Sequence, residues 1–452
     1  MEQVAFGKGN ASRGFRQDIK SVLPAIEFEE CSETDPCLYR HKTKDLFVAV
    51  YVDDTEFAGP GADMDWFQDQ FNERYEVKWL GTTDQHDPES TEGSRHYAGV
   101  RTEADLTTRI MTQNQTALLR KGARQFDFDP GKPRYSPPRF REFRQLKEGE
   151  VAEPKFHKRY RSKVGFLAHV ALCSRPDVAF NSVKAARRLN DPVAECEGYV
   201  DGAMQFLFST MEDQLVYRCT EPLADTLMMS SDAALADAPG AKSTGGWVAF
   251  AGGCAMSWGI ETNRQQVLSS TEAEYCTGAA ACKEAVSLGK AFTAFRMEFP
   301  KHFPILMDNQ SAIALACGPA AHHQRTKHIA TKYHLQRQML LEGIVRFQHQ
   351  ATEVHTSDIF TKDLGKKLHK RHRDVLFGRV PMEFISQKLP HSHQEYVRRY
   401  NEEIERKVKE MELSKTLACQ VEARKTDTAA ALLAKLVAVC ERSAVAAPIS
   451  GR

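Results

Sequence analysis

Four acidic residues sit at the ends of apolar or helical runs in one stretch of this chain, and that pattern constrains its fold more than any other feature. Asp232 ends the strand-like run MMSSD, and Glu274 lies at the start of a helical pattern covering residues 271 to about 295. Asp308 closes the apolar run 304–307, and Asp358 precedes Ile359 and Phe360. A Gly-rich turn and two further strands, at 246–251 and around 256–258, lie between the first two carboxylates. The order of three strands, helix, strand, helix predicts an α/β unit with a mixed sheet. Strand ends and helix starts can meet at one edge of such a sheet. A lone Asp at a strand end is most often a turn or capping residue. Four together repel and raise one another's pKa unless cations lie between them. Mg²⁺ is the natural cation, with Mn²⁺ as the alternative, because hard oxygen ligands suit both. Two such ions about 3.5–4 Å apart activate water and stabilise the leaving oxygen in phosphodiester hydrolysis. Spacing alone leaves this as one reading among several.

Composition narrows the class. The chain has 452 residues, room for two to four domains, with 42% hydrophobic and 27% charged residues, as in a globular protein. A formal net charge of +1 makes any nucleic-acid contact a matter of local basic patches. The longest apolar run, 46–52, is too short for a bilayer, and the N-terminal residues have no apolar core. The expectation is a protein of the cytoplasm or nucleus, with no membrane segment. Eleven cysteines occur singly and never as C-x-x-C, which predicts free thiols and argues against a zinc site.

Other elements are legible locally. Residues 38–52 read as two short strands joined by a polar turn at 41–44, and 62–80 as a helix with Trp66, Phe67 and Phe71 on one side. Residues 82–96 read as an exposed loop, Pro137-Pro138 as a boundary, and 163–208 as largely helical. Residues 394–424 place Val397, Tyr400, Ile404, Val408 and Met411 on one face of an amphipathic or coiled-coil helix. Such a face would suit self-association or a helical partner.

The words around the four carboxylates are more specific than their spacing. SSDAALADAPGAKSTGGWVAFAGGCAMSW, VLSSTEAEYCTGAA, ILMDNQSAIALA, RTKHIATKYH and SDIFTKDL occur in this order. Together they resemble the ribonuclease H domain of copia-type retrotransposon polyproteins, over residues 225–378. The resemblance implies cleavage of the RNA strand of an RNA–DNA hybrid by two-metal hydrolysis. It makes Asp232, Glu274, Asp308 and Asp358 the metal ligands, with Glu272 as the alternative to Glu274. It also suggests His328, or else His334, for product release or proton movement. Two positions depart from the family: Ala330 stands where an acidic residue is usual, and Ala234-Leu235 replaces an Asp-Trp pair.

The first half resembles the reverse transcriptase of the same polyproteins over residues 10–220. Tyr51-Val52-Asp53-Asp54 follows the apolar run LFVAV and matches the catalytic turn, which makes Asp53 and Asp54 metal ligands by resemblance. DPCLY, SRPDVAF, LNDP and ASRGFRQDIKSVL are placed as in that family. The family's earlier catalytic aspartate has no counterpart in this sequence, so the expectation is that DNA polymerisation is lost. The predicted organisation is a truncated palm at 1–125, thumb- or connection-like helices at 126–222, a ribonuclease H-like mixed-sheet domain at 223–379 and a helical tail at 380–452. Two basic clusters are expected to meet the hybrid's phosphates. One includes Arg134 and Arg139, with Tyr135, Phe140 and Tyr160 to pack or stack; the other is Lys366, Lys367, Lys370 and Arg371, with Arg373 beside them.

Overall fold

The computed structural model describes residues 11–31, 35–51, 54–75, 77, 96–97, 99–147, 150–263, 266–317, 330–381 and 389–444. Among these, three sheets organise an α/β chain. The first begins with helix α1 (Ala11–Ala25) and strands β1 (Phe28–Glu30), β2 (Leu38–His41), β3 (Phe47–Tyr51) and β4 (Asp54–Ala58), which pair in sequence order. Helix α2 (Gly61–Asn72) packs Phe67 and Phe71 against Phe28, Tyr39, Leu46 and Val48. Of the polar loop expected at 82–96, residues 82–95 lie outside the described residues and His96 opens β5.

A second sheet joins distant segments. Strands β5 (His96–Tyr97), β6 (Val100–Asp105) and β7 (Ile110–Asn114) form a meander, and β8 (Leu215–Arg218) pairs with β7. This sheet therefore draws strands from both sides of residue 125. Helices α3 (Thr116–Gln125), α4 (Pro154–Cys173), α5 (Ala179–Ala186) and α6 (Ala194–Ser209) lie between β7 and β8. Pro154 sits in the first turn of α4, where its missing N–H costs nothing.

The third sheet follows the short helix α7 (Leu223–Thr226). Antiparallel β9 (Met228–Ala238), β10 (Lys242–Ala251) and β11 (Cys254–Thr262) lead into the long helix α8 (Ser270–Ala294). Strand β12 (Phe303–Met307) then runs parallel to β9, followed by helices α9 (Gln310–Cys317) and α10 (Ala330–Leu341) and the parallel edge strand β13 (Val345–His349). The order β11-β10-β9-β12-β13 is the mixed sheet expected from the sequence, with one strand, β13, beyond those expected. Helices α11 (Asp358–Thr361), α12 (Lys366–Leu376) and α13 (His391–Ala444) complete the chain.

Period-two alternation sends the two faces of this sheet into different cores. Met229, Ala249, Ile305 and Met307 pack with Tyr275 and Ala285 of α8. Val248 and Phe250 join Leu167, Val200 and Phe206 of the α4–α6 bundle and Phe360 of α11. The bundle is tied to the sheet by polar contacts as well. Trp258 Nε1 donates to Ala171 O at 2.9 Å, and Lys184 reaches Asp237 Oδ2 at 2.7 Å.

The tail helix has its place in this unit. Ile404 and Val408 of α13 are buried in the α8-side core, with Tyr400 and Met411 against it. Asn401 brackets His349 on β13, accepting its N–H at 2.7 Å and donating to its carbonyl at 3.1 Å. Arg346 of β13 pairs with Glu412 at 2.6 Å. The apolar face assigned to self-association or a helical partner is thus occupied, as far as Met411, by the protein's own edge strand and helices. An uncovered edge strand invites pairing with another chain, and α13 removes that edge from solvent.

Candidate functional site

Asp232 lies near the middle of β9 and faces Gly246 of β10 in register. Both residues of the Gly245-Gly246 pair are needed for close approach. A Cβ on Gly245 would strike Thr277 of α8, and one on Gly246 would strike Phe360 of α11. The sheet is consequently gripped by helices on both faces at the level of Asp232. Asp232 is 1% exposed, and Asp308, just past the end of β12, is half-buried. Oxygen atoms of these two carboxylates and a ring nitrogen of His355 all lie within 4.8 Å of one another. Thr352 Oγ1 orients Asp308 through a 3.0 Å bond to Oδ2.

The start of α8 separates the two glutamates that sequence left as alternatives. Ser269 is the N-cap and accepts the Glu272 N–H at 3.1 Å, while Glu272 Oε2 reaches back to the Leu268 N–H at 2.8 Å. Glu272 is therefore occupied in a reciprocal cap, as the serine-to-glutamate spacing requires. Glu274 turns toward the other carboxylates. It is buried, accepts the Ala233 N–H, and leaves Oε2 without a hydrogen-bond partner among the described residues. Desolvation, then the charges of Asp232 and Asp308, push its pKa far above the usual carboxylate range.

Asp358, the first residue of α11, reaches the same place from the opposite face of the sheet. Burial and the charge of Asp232 raise its pKa, and Lys362 opposes that shift. Lys362 Nζ bridges the two, 2.7 Å from Asp358 Oδ1 and 3.3 Å from Asp232 Oδ1. Thr361 Oγ1 donates to the second oxygen of Asp232. Of the four carboxylates singled out in the sequence, Asp232 and Asp308 thus meet with His355, Glu274 lies near enough to feel the charge of both, and Asp358 joins Asp232 through Lys362.

Asp54 opens β4 in the first sheet, and Asp53 lies outside the described residues, as does His328. His334 belongs to α10.

Sequence reasoning missed His355. It is fully buried, with Nε2 2.9 Å from Ser231 O and 2.8 Å from Ser357 Oγ, and Nδ1 3.0 Å from Gln350 Oε1. The bond to the Ser231 carbonyl ties the ring to β9 one residue before Asp232. The only hint is its place three residues before Asp358.

The two basic clusters meet beside this site. Arg139 pairs with Asp363 at 3.0 Å, and the Phe140 N–H donates to the same carboxylate at 3.1 Å, next to Lys362. Lys366 and Lys367 are exposed at the start of α12. Lys370 pairs with Asp374, Arg371 donates to Glu353 O, and Arg134 Nε bonds Ser136 O. Arg373 is buried. The aromatics divide: Tyr135 is 58% exposed, while Tyr160 is fully buried and donates to Ala185 O at 2.8 Å. Phe140 stands edge-on to Phe143 and Tyr199. Tyr160 and Phe140 pack against the protein's own side chains and are not stacking platforms.

A mixed α/β sheet whose two central strands bring Asp232 and Asp308 together, with Glu274 and Asp358 under the influence of their charge, is the class of site that fold and geometry define. No family model matches the chain. Among curated proteins it is similar to the Retrovirus-related Pol polyprotein from transposon TNT 1-94 of Nicotiana tabacum, 25% identical over 376 residues, covering 80% of this chain and 27% of that protein. It is also similar to the Putative transposon Ty5-1 protein of Saccharomyces cerevisiae, 27% identical over 278 residues, covering 60% of this chain and 84% of that one. Among solved structures, RNase H1 from Halobacterium salinarum NRC-1 aligns over 29% of this chain and 89% of its own at 18% identity, with a TM-score of 0.23. The chain is a homologue of retrovirus-related Pol polyproteins of transposons, and it spans about a quarter of the length of the first of these relatives. Among the described residues, no helix is long and apolar enough to cross a membrane.

Proposed function

We propose that this chain carries a copia-type retrotransposon ribonuclease H unit that hydrolyses the RNA strand of RNA–DNA hybrids, an endonuclease dependent on Mg²⁺ or Mn²⁺. The observation that carries the reading is the buried, unpartnered Glu274 Oε2 beside Asp232 and Asp308. An oxygen so desolvated and so close to like charge is at odds with a purely structural role, and it suits a hard divalent cation. Asp232, Glu274 and Asp308 would hold such an ion, with Asp358 on the far side of Asp232. Bound there, it supplies Lewis acidity and an activated water for phosphodiester hydrolysis. The protein's part is positional. Thr352 orients Asp308, Thr361 and Lys362 orient Asp232, and His355 anchors the strand beneath it. Arg139, Lys366 and Lys367 border the site and would receive the duplex backbone, read by shape and not by base sequence.

Residues 223–379 form this unit in our reading, with the α4–α6 bundle as its support and α13 as its cover. Primer extension is not part of the proposal: Asp54 opens β4 of the first sheet, and Asp53 lies outside the described residues. The test is a hybrid labelled on either strand, incubated with the purified chain and Mg²⁺. Cuts in the RNA strand alone are expected. Cuts in both strands, or none from a folded protein that binds the hybrid, would remove the reading.

A further inference from the structure

We infer that the Lys362 ammonium is the resident cation of the Asp232–Asp358 side of the site, so that one divalent ion binds readily and a second must displace Lys362. The inference rests on the proposed metal site and adds to it the number and order of ions. Lys362 follows α11, four residues after Asp358, and its Nζ lies between the two carboxylates at 2.7 and 3.3 Å. Both carboxylates are buried, whereas the lysine side chain is 38% exposed. The ammonium thus has a path outward to solvent that the carboxylates lack. Asp232 is fully engaged on this side, its other oxygen taking the Thr361 hydroxyl.

The opposite side differs. Among the described residues, Asp308 and Glu274 have no Lys or Arg within ion-pair distance, and Glu274 Oε2 has no hydrogen-bond partner. The two halves of one acidic cluster therefore differ, one bridged by a side chain of the protein and the other open to a cation from outside. An ammonium and a divalent ion cannot share the same carboxylate oxygens, so occupancy of the second seat is a competition. When displaced, Lys362 would point to solvent beside Arg139, where a phosphate would meet it.

The experiment counts ions directly. Mn²⁺ binding to the full chain is followed by electron paramagnetic resonance and calorimetry, for the wild type, Lys362→Met and Lys362→Gln. Melting curves in chelator confirm that each variant is folded. The expected result is one readily bound ion in the wild type and two in either variant, the second bound roughly tenfold or more tightly than in the wild type, the scale set by removing an adjacent unit charge. Equal stoichiometry and affinity in all three would overturn the inference. Hybrid cleavage measured in parallel separates the two levels: equal ion counts with cleavage intact sink only the Lys362 assignment. A wild type that binds no ion and cuts nothing sinks the metal site with it.

Discussion

Replacing Glu274 with Gln should make the protein more stable in chelator and unresponsive to divalent ions. Glu274 keeps one oxygen on the Ala233 N–H and leaves the other bare, beside Asp232 and Asp308. Its pKa in the fold lies far above the ordinary value of 4.5, so the group is protonated at pH 7 without a cation. The sign follows from linkage. A carboxyl whose pKa is raised by folding contributes fully to stability below its unfolded value, and that contribution is lost as pH rises toward the folded value. At about 1.36 kcal/mol per unit, holding it neutral from pH 4.5 to pH 7 costs roughly 3 kcal/mol. Gln keeps the acceptor for Ala233, carries no charge, and offers an NH₂ to the two aspartates. The gain should approach that figure, a rise in Tm of roughly 5–10 °C for a unit of this size. Thermal melts in chelator and in Mg²⁺ check it. The wild type should gain stability with Mg²⁺, and Glu274→Gln should not. A variant that melts below the wild type in chelator would show that Glu274 is not held against repulsion, and the reasoning would fail.

Other expectations follow from the same geometry. Ile404→Ala should destabilise the mixed-sheet unit by about 2–4 kcal/mol, since the side chain is buried against its core; a loss below about 0.5 kcal/mol in denaturant melts would mean that α13 is not docked, that figure being ordinary for a surface change. His372 is fully buried with neither ring nitrogen bonded, and burial, with the charge of Arg371 and the neighbouring His355, His369 and Lys362, depresses its pKa to about 3. Stability from this neutral histidine is complete above its ordinary value near 6.5 and falls as pH drops below it, by about 2 kcal/mol at pH 5. His372→Phe should flatten that acid slope, and an unchanged slope would refute the assignment. Lys366→Gln with Lys367→Gln should weaken hybrid binding across sequences and lower the salt slope by about one for each phosphate no longer neutralised; an unaltered slope would remove these lysines from the interface.

How far the sequence carries can be judged residue by residue. Strands β9 to β12 and helix α8 are legible because short apolar runs, a Gly-rich break and a helical pattern are local signals, although the strand read as ending at Asp232 continues to Ala238 and the glycine pair lies inside β10. The four carboxylates follow from family words, yet the choice between Glu272 and Glu274 needs the cap geometry. Strand β13 has no comparable signal, because Arg346 and His349 sit in a strand that α13 completes from more than fifty residues away, through Glu412 and Asn401. The apolar stripe of α13 is visible in the sequence, but not that the chain itself covers it. His355 is silent locally, since its importance arises from Ser231 and Gln350, which the fold brings to it. Tyr160 looks like part of a basic-aromatic surface because its neighbours in sequence are charged, and only its helix phase turns it inward.

Asp232 bonds Thr361 and Lys362, lies within 4.8 Å of Asp308 and His355, and acts by its charge on Glu274 and Asp358. Cleavage of an RNA-labelled hybrid by the wild type and by Asp232→Asn, both confirmed folded and both in Mg²⁺, tests the central claim most directly. Cleavage is expected of the first, with a loss of roughly a hundred- to a thousandfold in the second, the scale on which removing a transition-state electrostatic contact acts. Equal cleavage by both would contradict it, because the nuclease activity would then lie somewhere other than these four carboxylates.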